Sequence, residues 1–112
     1  MNRGEVWWAS LNPPRGSEPG FDRPVVIISS NEFNKSLINT VLVGVITSNM
    51  RLADAPGNFK LGRKYSGLDK DSVVNISQIL TLDKSFLIEK AGKLSTSDIS
   101  KLNDGLKLML TL

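Results

Sequence analysis

The apolar stretch Asn39-Thr40-Val41-Leu42-Val43-Gly44-Val45-Ile46-Thr47 has the composition of a buried β-strand. β-Branched residues dominate it, and they favour extended backbone. Two similar runs precede it in the chain. Residues 5–11 are rich in Val and Trp, and residues 25–28 follow Pro24. Short apolar runs of this kind, bounded by turn-forming residues, predict strands.

Further short segments continue this pattern towards the C-terminus. The strand candidates are residues 58–61, 72–76, 78–82 and 87–94. The segments between strands are polar or rich in Gly and Pro: residues 15–23 and 48–56 predict loops, 31–37 a helical turn or loop, 65–67 a turn and 84–86 a short helical turn. Many short strands with short connections predict a strongly curved antiparallel sheet or small β-barrel.

The period of the apolar residues changes only in the last segment. Ser95 and Asp98 form an S-x-x-D pattern close to a capping box. Helical spacing then relates Ile99, Leu102, Leu106 and Met109. We therefore expect a mainly β protein with minor helix, ending in a C-terminal α-helix that packs on the sheet. Three further leucines lie off this stripe: Leu108, Leu110 and Leu112. Two interpretations remain open for them, additional core contact or a dimer surface.

The composition excludes several kinds of chemistry. The 112 residues include no Cys and no His, so thiol nucleophiles, disulfides and the commonest metal ligands are excluded. The length predicts one domain. The net charge of +3 is compatible with a polyanionic partner. No apolar run is long enough to cross a bilayer, and no signal region follows the N-terminus, so we expect a cytoplasmic protein that needs no metal.

The segment Arg15-Gly16-Ser17-Glu18-Pro19-Gly20-Phe21-Asp22-Arg23 is a predicted loop that concentrates groups able to bind nucleic acid. A guanidinium such as that of Arg15 or Arg23 can bind two phosphate oxygens at once. The ring of Phe21 could stack on a base. The alternative is a solvated turn in which opposite charges neutralise each other.

Arg23 and Thr47 lie at the ends of two predicted strands. Arg23 precedes Pro24 and is therefore restricted to extended backbone. If the two strands are neighbours, Arg23 and Thr47 could face one phosphate; an ordinary strand position is the alternative for Thr47. Trp7 and Trp8 should point to opposite faces of their strand. We expect one in the core; core packing under a loop, a contact with a second subunit and stacking on a nucleotide are the alternatives for the other.

An ordered set of motifs resembles the MazF/PemK toxin family and covers nearly the whole chain. The motifs are Arg3-Gly4-Glu5-Val6-Trp7-Trp8, Asn12-Pro13, Gly16-Ser17-Glu18, Arg23-Pro24-Val25-Val26, Ile46-Thr47-Ser48, Gly67-Leu68-Asp69-Lys70-Asp71-Ser72, Gln78-Ile79, Asp83-Lys84 and Leu94-Ser95. The resemblance implies an SH3-like small β-barrel of the PemK/CcdB kind, spanning residues 1–112 as a single domain and forming a homodimer.

The resemblance also implies an activity and two partners. The activity is sequence-specific endoribonuclease cleavage of single-stranded RNA, such as mRNA, without a metal or cofactor. The protein partner is a MazE-like antitoxin whose acidic, partly disordered C-terminal tail occupies the RNA groove. The implied catalytic residues are Arg23, Thr47 and Glu18. The expected RNA contacts are Arg15, Ser17, Phe21, Ser48, Asn49 and Gln78.

Two positions depart from the usual family pattern. Asp22 stands where many relatives carry a basic residue, and Ser77 stands before Gln78 where an acidic residue is frequent. Both departures fall where base preference would be set.

RNA carries its own nucleophile, the ribose 2′-OH, which suits a chain without His or Cys. Arg23 would bind the phosphate and stabilise the transition state, and Thr47 would donate to a non-bridging oxygen. Glu18 is the better candidate for general base because Arg stays protonated.

Two other functions remain as alternatives. One is a CcdB-like toxin that poisons DNA gyrase, although the chain lacks the terminal Trp of that group. The other is a non-catalytic SH3-like RNA-binding module.

Overall fold

A computed structural model describes residues 1–12 and 21–112 of the chain. Its strands are β1 (Glu5–Asn12), β2 (Phe21–Ile27), β3 (Thr40–Thr47), β4 (Phe59–Leu61), β5 (Ser72–Asp83) and β6 (Leu87–Lys93). The α-helices are α1 (Asn31–Asn34), α2 (Arg63–Ser66) and α3 (Thr96–Leu110), and two 3-10 helices are η1 (Met50–Asp54) and η2 (Lys84–Phe86). The strands form one antiparallel sheet in the order β4-β5-β3-β2-β1-β6. The predicted mainly β fold with a C-terminal helix is confirmed.

Apolar side chains are buried on both faces of this sheet. Val26 and Ile28 belong to one core cluster, whereas Val25 and Ile27 belong to a second cluster. Alternate residues of a strand point to opposite faces, so β2 contributes to both. This two-sided burial explains why the central strands are continuous apolar runs rather than alternating patterns.

The tryptophans divide between the same two clusters. Trp8 packs against the cluster that contains Val26, and Trp7 packs against the cluster that contains Val25. Both indoles are partly buried. The expectation that the two indoles point to opposite faces is confirmed, and both contact a core because the sheet has one on each side.

The curled sheet brings the turn after α2 against β6. Gly67 adopts a left-handed conformation with φ of 72° and ends α2. Its Cα lies against the Ala91 carbonyl, and Gly92 lies against the backbone of Ser66, so neither position has room for a Cβ. Two glycines thus allow the backbones to approach closely and close one side of the half-barrel.

The larger differences from the sequence prediction concern β2 and β5. β2 begins at Phe21 rather than after Pro24, because residues 22–24 already pair with β1. Pro24 is tolerated there because the pairing of β2 with β3 covers only residues 25–27. The predicted strands 72–76 and 78–82 are a single strand, β5. A bulge interrupts its pairing with β3 between Asn75 and Ile79.

The C-terminal helix α3 begins as predicted, with the Ser95 hydroxyl accepting a hydrogen bond from the Asp98 N–H at 3.1 Å. Leu102 is fully buried, and Ile99 and Leu106 pack against the same core cluster. The leucines off this stripe are exposed: Leu108 by 61%, Leu110 by 52% and Leu112 by 82%. Additional core contact is therefore the wrong interpretation for them. Within the described residues, no helix has the length and hydropathy needed to cross a bilayer.

Candidate active site

Arg23 and Thr47 lie just beyond the end of the β2–β3 ladder. The last pair of this ladder is Val25 with Val45, and Arg23 precedes Val25 by two residues while Thr47 follows Val45 by two. Both residues are half-buried and line the same surface cavity, which has a volume of about 430 Å³. The predicted convergence of the two strand ends therefore agrees with the geometry, and the cavity has the size typical of a ligand pocket.

The cavity combines an apolar part with a polar rim. The apolar lining consists of Trp8, Pro24, Ile46 and Leu68. The polar lining consists of Asp22, Arg23, Thr47, Ser48, Asp69, Lys70 and Ser72. A partly exposed indole beside a guanidinium and hydroxyls is an arrangement that suits a nucleotide, which presents an aromatic base and a phosphate.

A turn after β3 orients the Thr47 hydroxyl. Its Oγ1 accepts a hydrogen bond from the Asn49 N–H at 3.1 Å, and the Asn49 Oδ1 accepts one from the Arg51 N–H at 3.2 Å. A hydroxyl that accepts through a lone pair keeps its own proton for donation. This turn therefore gives Thr47 a fixed orientation in which it can serve as a donor. Ser48 is exposed and lines the cavity, whereas Asn49 is exposed but is not part of the lining.

The segment that follows α2 supplies Asp69 and Lys70. The Ser66 hydroxyl donates to the Gly62 carbonyl at 2.9 Å and accepts from the Leu68 N–H at 3.3 Å. Leu68 is buried in the core cluster, which anchors the segment. The two residues that follow Leu68 are exposed and line the cavity.

Sequence reasoning did not assign Asp69 or Lys70 to the site. Their motif contributed to the family resemblance, but the chain gives no local signal that the turn after α2 folds over the ends of β2 and β3. The described cavity consequently has two cations, Arg23 and Lys70, balanced by two carboxylates, Asp22 and Asp69.

The other predicted site residues have different outcomes. Arg15, Ser17 and Glu18 lie outside the described residues. For Phe21, the described backbone pairs with Asn12 at the start of β2. Gln78 is exposed on the β5 bulge and does not line the cavity.

The described part of the chain contains no group of three or more acidic residues arranged to hold a metal ion.

A curled antiparallel sheet with a C-terminal helix, carrying a nucleotide-sized cavity beside the ends of its central strands, defines the class of small half-barrel domains. Comparison with known proteins identifies the family. The chain belongs to the PemK-like, MazF-like toxins of type II toxin-antitoxin systems, whose family description matches residues 2–110. The resemblance inferred from the sequence motifs is confirmed.

Similar proteins include two endoribonucleases. Endoribonuclease MazF6 of Mycobacterium tuberculosis (strain ATCC 25618 / H37Rv) is 42% identical over 112 residues, covering 100% of this chain and 98% of the relative. Endoribonuclease MazF of Staphylococcus saprophyticus is 41% identical, covering 100% of this chain and 92% of the relative. The similarity thus extends over whole chains.

Solved structures have the same fold. An endoribonuclease in complex with its cognate antitoxin from a mycobacterial species superposes with a TM-score of 0.81 at 26% identity, covering 100% of this chain and 96% of that chain. The M. tuberculosis toxin MazF-mt6 superposes with a TM-score of 0.78 at 21% identity, covering 96% and 97% of the two chains.

Proposed function

We propose that this chain is a toxin endoribonuclease that cuts single-stranded RNA at specific sequences and is neutralised by a cognate antitoxin. The endoribonuclease relatives support this activity because they match the chain over its full length. The observation that carries the mechanism is the shared cavity of Arg23 and Thr47. A guanidinium and a hydroxyl beside one another can bind the non-bridging oxygens of a single phosphate.

Cleavage uses the ribose 2′-OH of the RNA as nucleophile. The 2′-oxygen loses its proton and bonds to the phosphorus, while the bond from phosphorus to the 5′-oxygen of the next nucleotide breaks. The 5′-oxygen takes up a proton, and the products are a 2′,3′-cyclic phosphate and a 5′-hydroxyl. Arg23 and Thr47 stabilise the charge that develops on the phosphate oxygens, a contribution for which one donor is typically worth about 10²–10³ in rate.

Proton transfer requires a group other than arginine, which stays protonated. Glu18 is the proposed general base. Asp69 is a second candidate, because it is exposed and lines the cavity beside Lys70. Glu18→Gln and Asp69→Asn separate the two: the variant that lacks the base should lose the acidic limb of the pH–rate profile.

The RNA follows a path that extends beyond the cavity. Trp8 offers an aromatic face for one base, and Ser48 offers a hydroxyl in the cavity lining. The exposed Asn49 that follows Ser48 is a further proposed contact. Arg15, Ser17, Phe21 and Gln78 are the further proposed contacts. Stacking by aromatic residues typically contributes about 1–3 kcal/mol per base.

The proposed assembly is a cytoplasmic homodimer of single-domain chains that binds a MazE-like antitoxin. A similar mycobacterial endoribonuclease is known in complex with its antitoxin. An acidic antitoxin tail would present carboxylates to Arg23 and Lys70 in place of RNA phosphates. Neutralisation would then result from direct competition for the cavity.

The test compares an RNA oligonucleotide that the protein cuts with the same oligonucleotide carrying one 2′-deoxyribose 5′ to the scissile bond. We expect cutting of the all-RNA strand, with a cyclic phosphate identified by mass spectrometry, and no cutting at the substituted nucleotide. Equal cutting of both strands would rule out the 2′-OH mechanism. Binding of RNA without cutting would favour a non-catalytic RNA-binding module.

A further inference from the structure

The β5 bulge displays two exposed polar side chains outside the cavity lining. Three residues, Ile76, Ser77 and Gln78, lie between the residues of β5 that pair with Val45 and Gly44. Ser77 and Gln78 are exposed, whereas Ile76 is fully buried. An irregularity of this kind turns side chains out of the normal alternation and is common beside functional sites.

A buried amide network holds the bulge in shape. Asn75 is only 5% exposed, and its Oδ1 accepts hydrogen bonds from the Ser77 N–H at 3.2 Å and the Ser77 hydroxyl at 2.6 Å. The Asn58 Oδ1 accepts from the Ile76 N–H at 2.8 Å. The Asn58 Nδ2 donates to the Leu52 carbonyl at 2.9 Å and to the Asn75 Oδ1 at 3.1 Å.

The same network connects the bulge to the cavity. Leu52 belongs to η1, whose first turn is fixed by Asn49, and Asn49 in turn donates its N–H to Thr47. The segment between β3 and β4 therefore makes hydrogen bonds both to the bulge and to the Thr47 hydroxyl. RNA bound at Thr47 would lie next to this segment and could reach the exposed bulge.

The network also determines which end of the Gln78 amide is free. A backbone N–H can only donate, so the Asn75 atom that faces the Ser77 N–H must be oxygen. The other Asn75 atom is then the Nδ2 donor, and it lies 3.2 Å from the Gln78 Oε1. Because Oε1 is engaged by Asn75, the exposed Gln78 side chain presents its NH₂ group as the atom available to a ligand.

We propose that Asn75 is a positioning residue for base recognition, which it achieves by holding Gln78 as a hydrogen-bond donor towards the RNA. This inference rests on the proposed endoribonuclease function. A donor directed at the exocyclic group of a base favours O4 of uracil or O6 of guanine, which accept, over the amino groups of cytosine and adenine, which donate. One position of the cleaved sequence should therefore favour uracil or guanine.

The experiment reverses the polarity of this contact. In Asn75→Asp, a second carboxylate oxygen faces Gln78, which must then donate to it and expose Oε1 as an acceptor. In Gln78→Glu, both carboxylate oxygens are acceptors, so the side chain presents an acceptor to the RNA in either orientation. Cleavage ends are mapped on a long mixed-sequence RNA for the wild type and both variants, with Thr81→Val, another exposed β5 position, as the matched control.

We expect both variants to shift one position from uracil or guanine towards adenine or cytosine, with a change in the cleavage ratio of about tenfold. Gln78→Ala should make that position degenerate, and adding Asn75→Asp to it should change nothing more. A merely structural Asn75 would lower the melting temperature without changing base preference. If Asn75→Asp does not fold, the exposed Gln78→Glu variant decides the question.

A second readout does not depend on cleavage. The affinities for oligo(U) and oligo(C) are measured by fluorescence anisotropy, and the U-to-C ratio should fall in Gln78→Glu and stay unchanged in Thr81→Val. An unchanged ratio and an unchanged cleaved sequence would overturn the role of Asn75 and Gln78. A wild type that shows the binding preference but cuts no RNA would instead overturn the proposed endoribonuclease function.

Discussion

At the scale of single residues, the cavity unites side chains that the sequence identifies with others that it does not. Arg23 and Thr47 could be predicted because Arg23 precedes one apolar run and Thr47 ends another, and the end of an apolar run is a position where a polar side chain meets solvent. Lys70 and Asp69 could not, because their place depends on how the turn after α2 folds over two distant strands. Local sequence contains no information on that contact.

Lys70 provides a prediction at this scale. Its ammonium lines the cavity, so Lys70→Gln should weaken RNA binding and lower the slope of log affinity against log salt by about 0.7, the value for one phosphate contact on a single strand. Lys64 is the matched control, because it lies over the Tyr65 ring at 5.4 Å and does not line the cavity. Equal effects of Lys64→Gln and Lys70→Gln would contradict a specific contact at Lys70.

At the scale of elements, strand composition predicted most of the sheet, and the failures have local causes. β5 was predicted as two strands because the polar residues Ser77 and Gln78 interrupt its apolar run. In the structure the strand continues through them as a bulge held by Asn75. β2 starts earlier than predicted because its pairing with β1 continues through Pro24. Pro24 is accepted there because it lies outside the pairing of β2 with β3.

The contact of α3 with the segment before β4 depends on Gly105. In an exposed helix, Gly→Ala would stabilise by about 1 kcal/mol. A Cβ at Gly105 would instead press on the Gly57 carbonyl group, with its carbon at 3.2 Å, and on the Ile76 side chain at 3.3 Å. We expect Gly105→Ala to destabilise by about 1–3 kcal/mol in urea unfolding. Lys107→Ala, on the exposed side of α3, should be nearly neutral, and a stabilising Gly105→Ala would contradict the close approach.

Glu5 joins β1 to β6 and makes stability depend on pH. Burial raises its pKa, but hydrogen bonds from the Asn2 N–H and the Trp7 Nε1, together with the Lys90 ammonium at 3.2 Å, lower the pKa below its usual value of 4.5 overall. A lowered folded-state pKa stabilises the protein above the unfolded value, and this contribution is lost as pH falls through the folded value.

Glu5→Gln should therefore lower the melting temperature at pH 7 by a few degrees. The difference from the wild type should be smaller at acid pH, as the pH falls through the lowered folded-state pKa of Glu5 and its carboxyl becomes neutral. Glu89→Gln, at an exposed neighbouring position of β6, serves as the control. A difference that is the same at pH 7 and at acid pH would show that the charge of Glu5 does not contribute.

At the scale of the whole molecule, the curled sheet places the cavity and the C-terminal leucines on one small domain. Leu108, Leu110 and Leu112 are each more than half exposed, which is costly for an isolated chain. The proposed homodimer would cover them as part of an interface of about 1,200–2,000 Å². Introducing Leu108→Glu and Leu112→Glu together should shift the protein to monomer in sedimentation velocity at micromolar concentration. An unchanged dimer would place the interface elsewhere.

The central claim is that Arg23 and Thr47 act on one phosphate, and a double-mutant cycle tests it most directly. Single-turnover cleavage is measured for Arg23→Gln, Thr47→Val and the double variant, with Thr47→Ser as the control that keeps the hydroxyl. We expect each single loss to slow cleavage by about 10²–10³ and the double variant to be little slower than Arg23→Gln, because groups acting as a unit are not additive. A double variant slowed by the full product of the two single effects would contradict joint action on one phosphate.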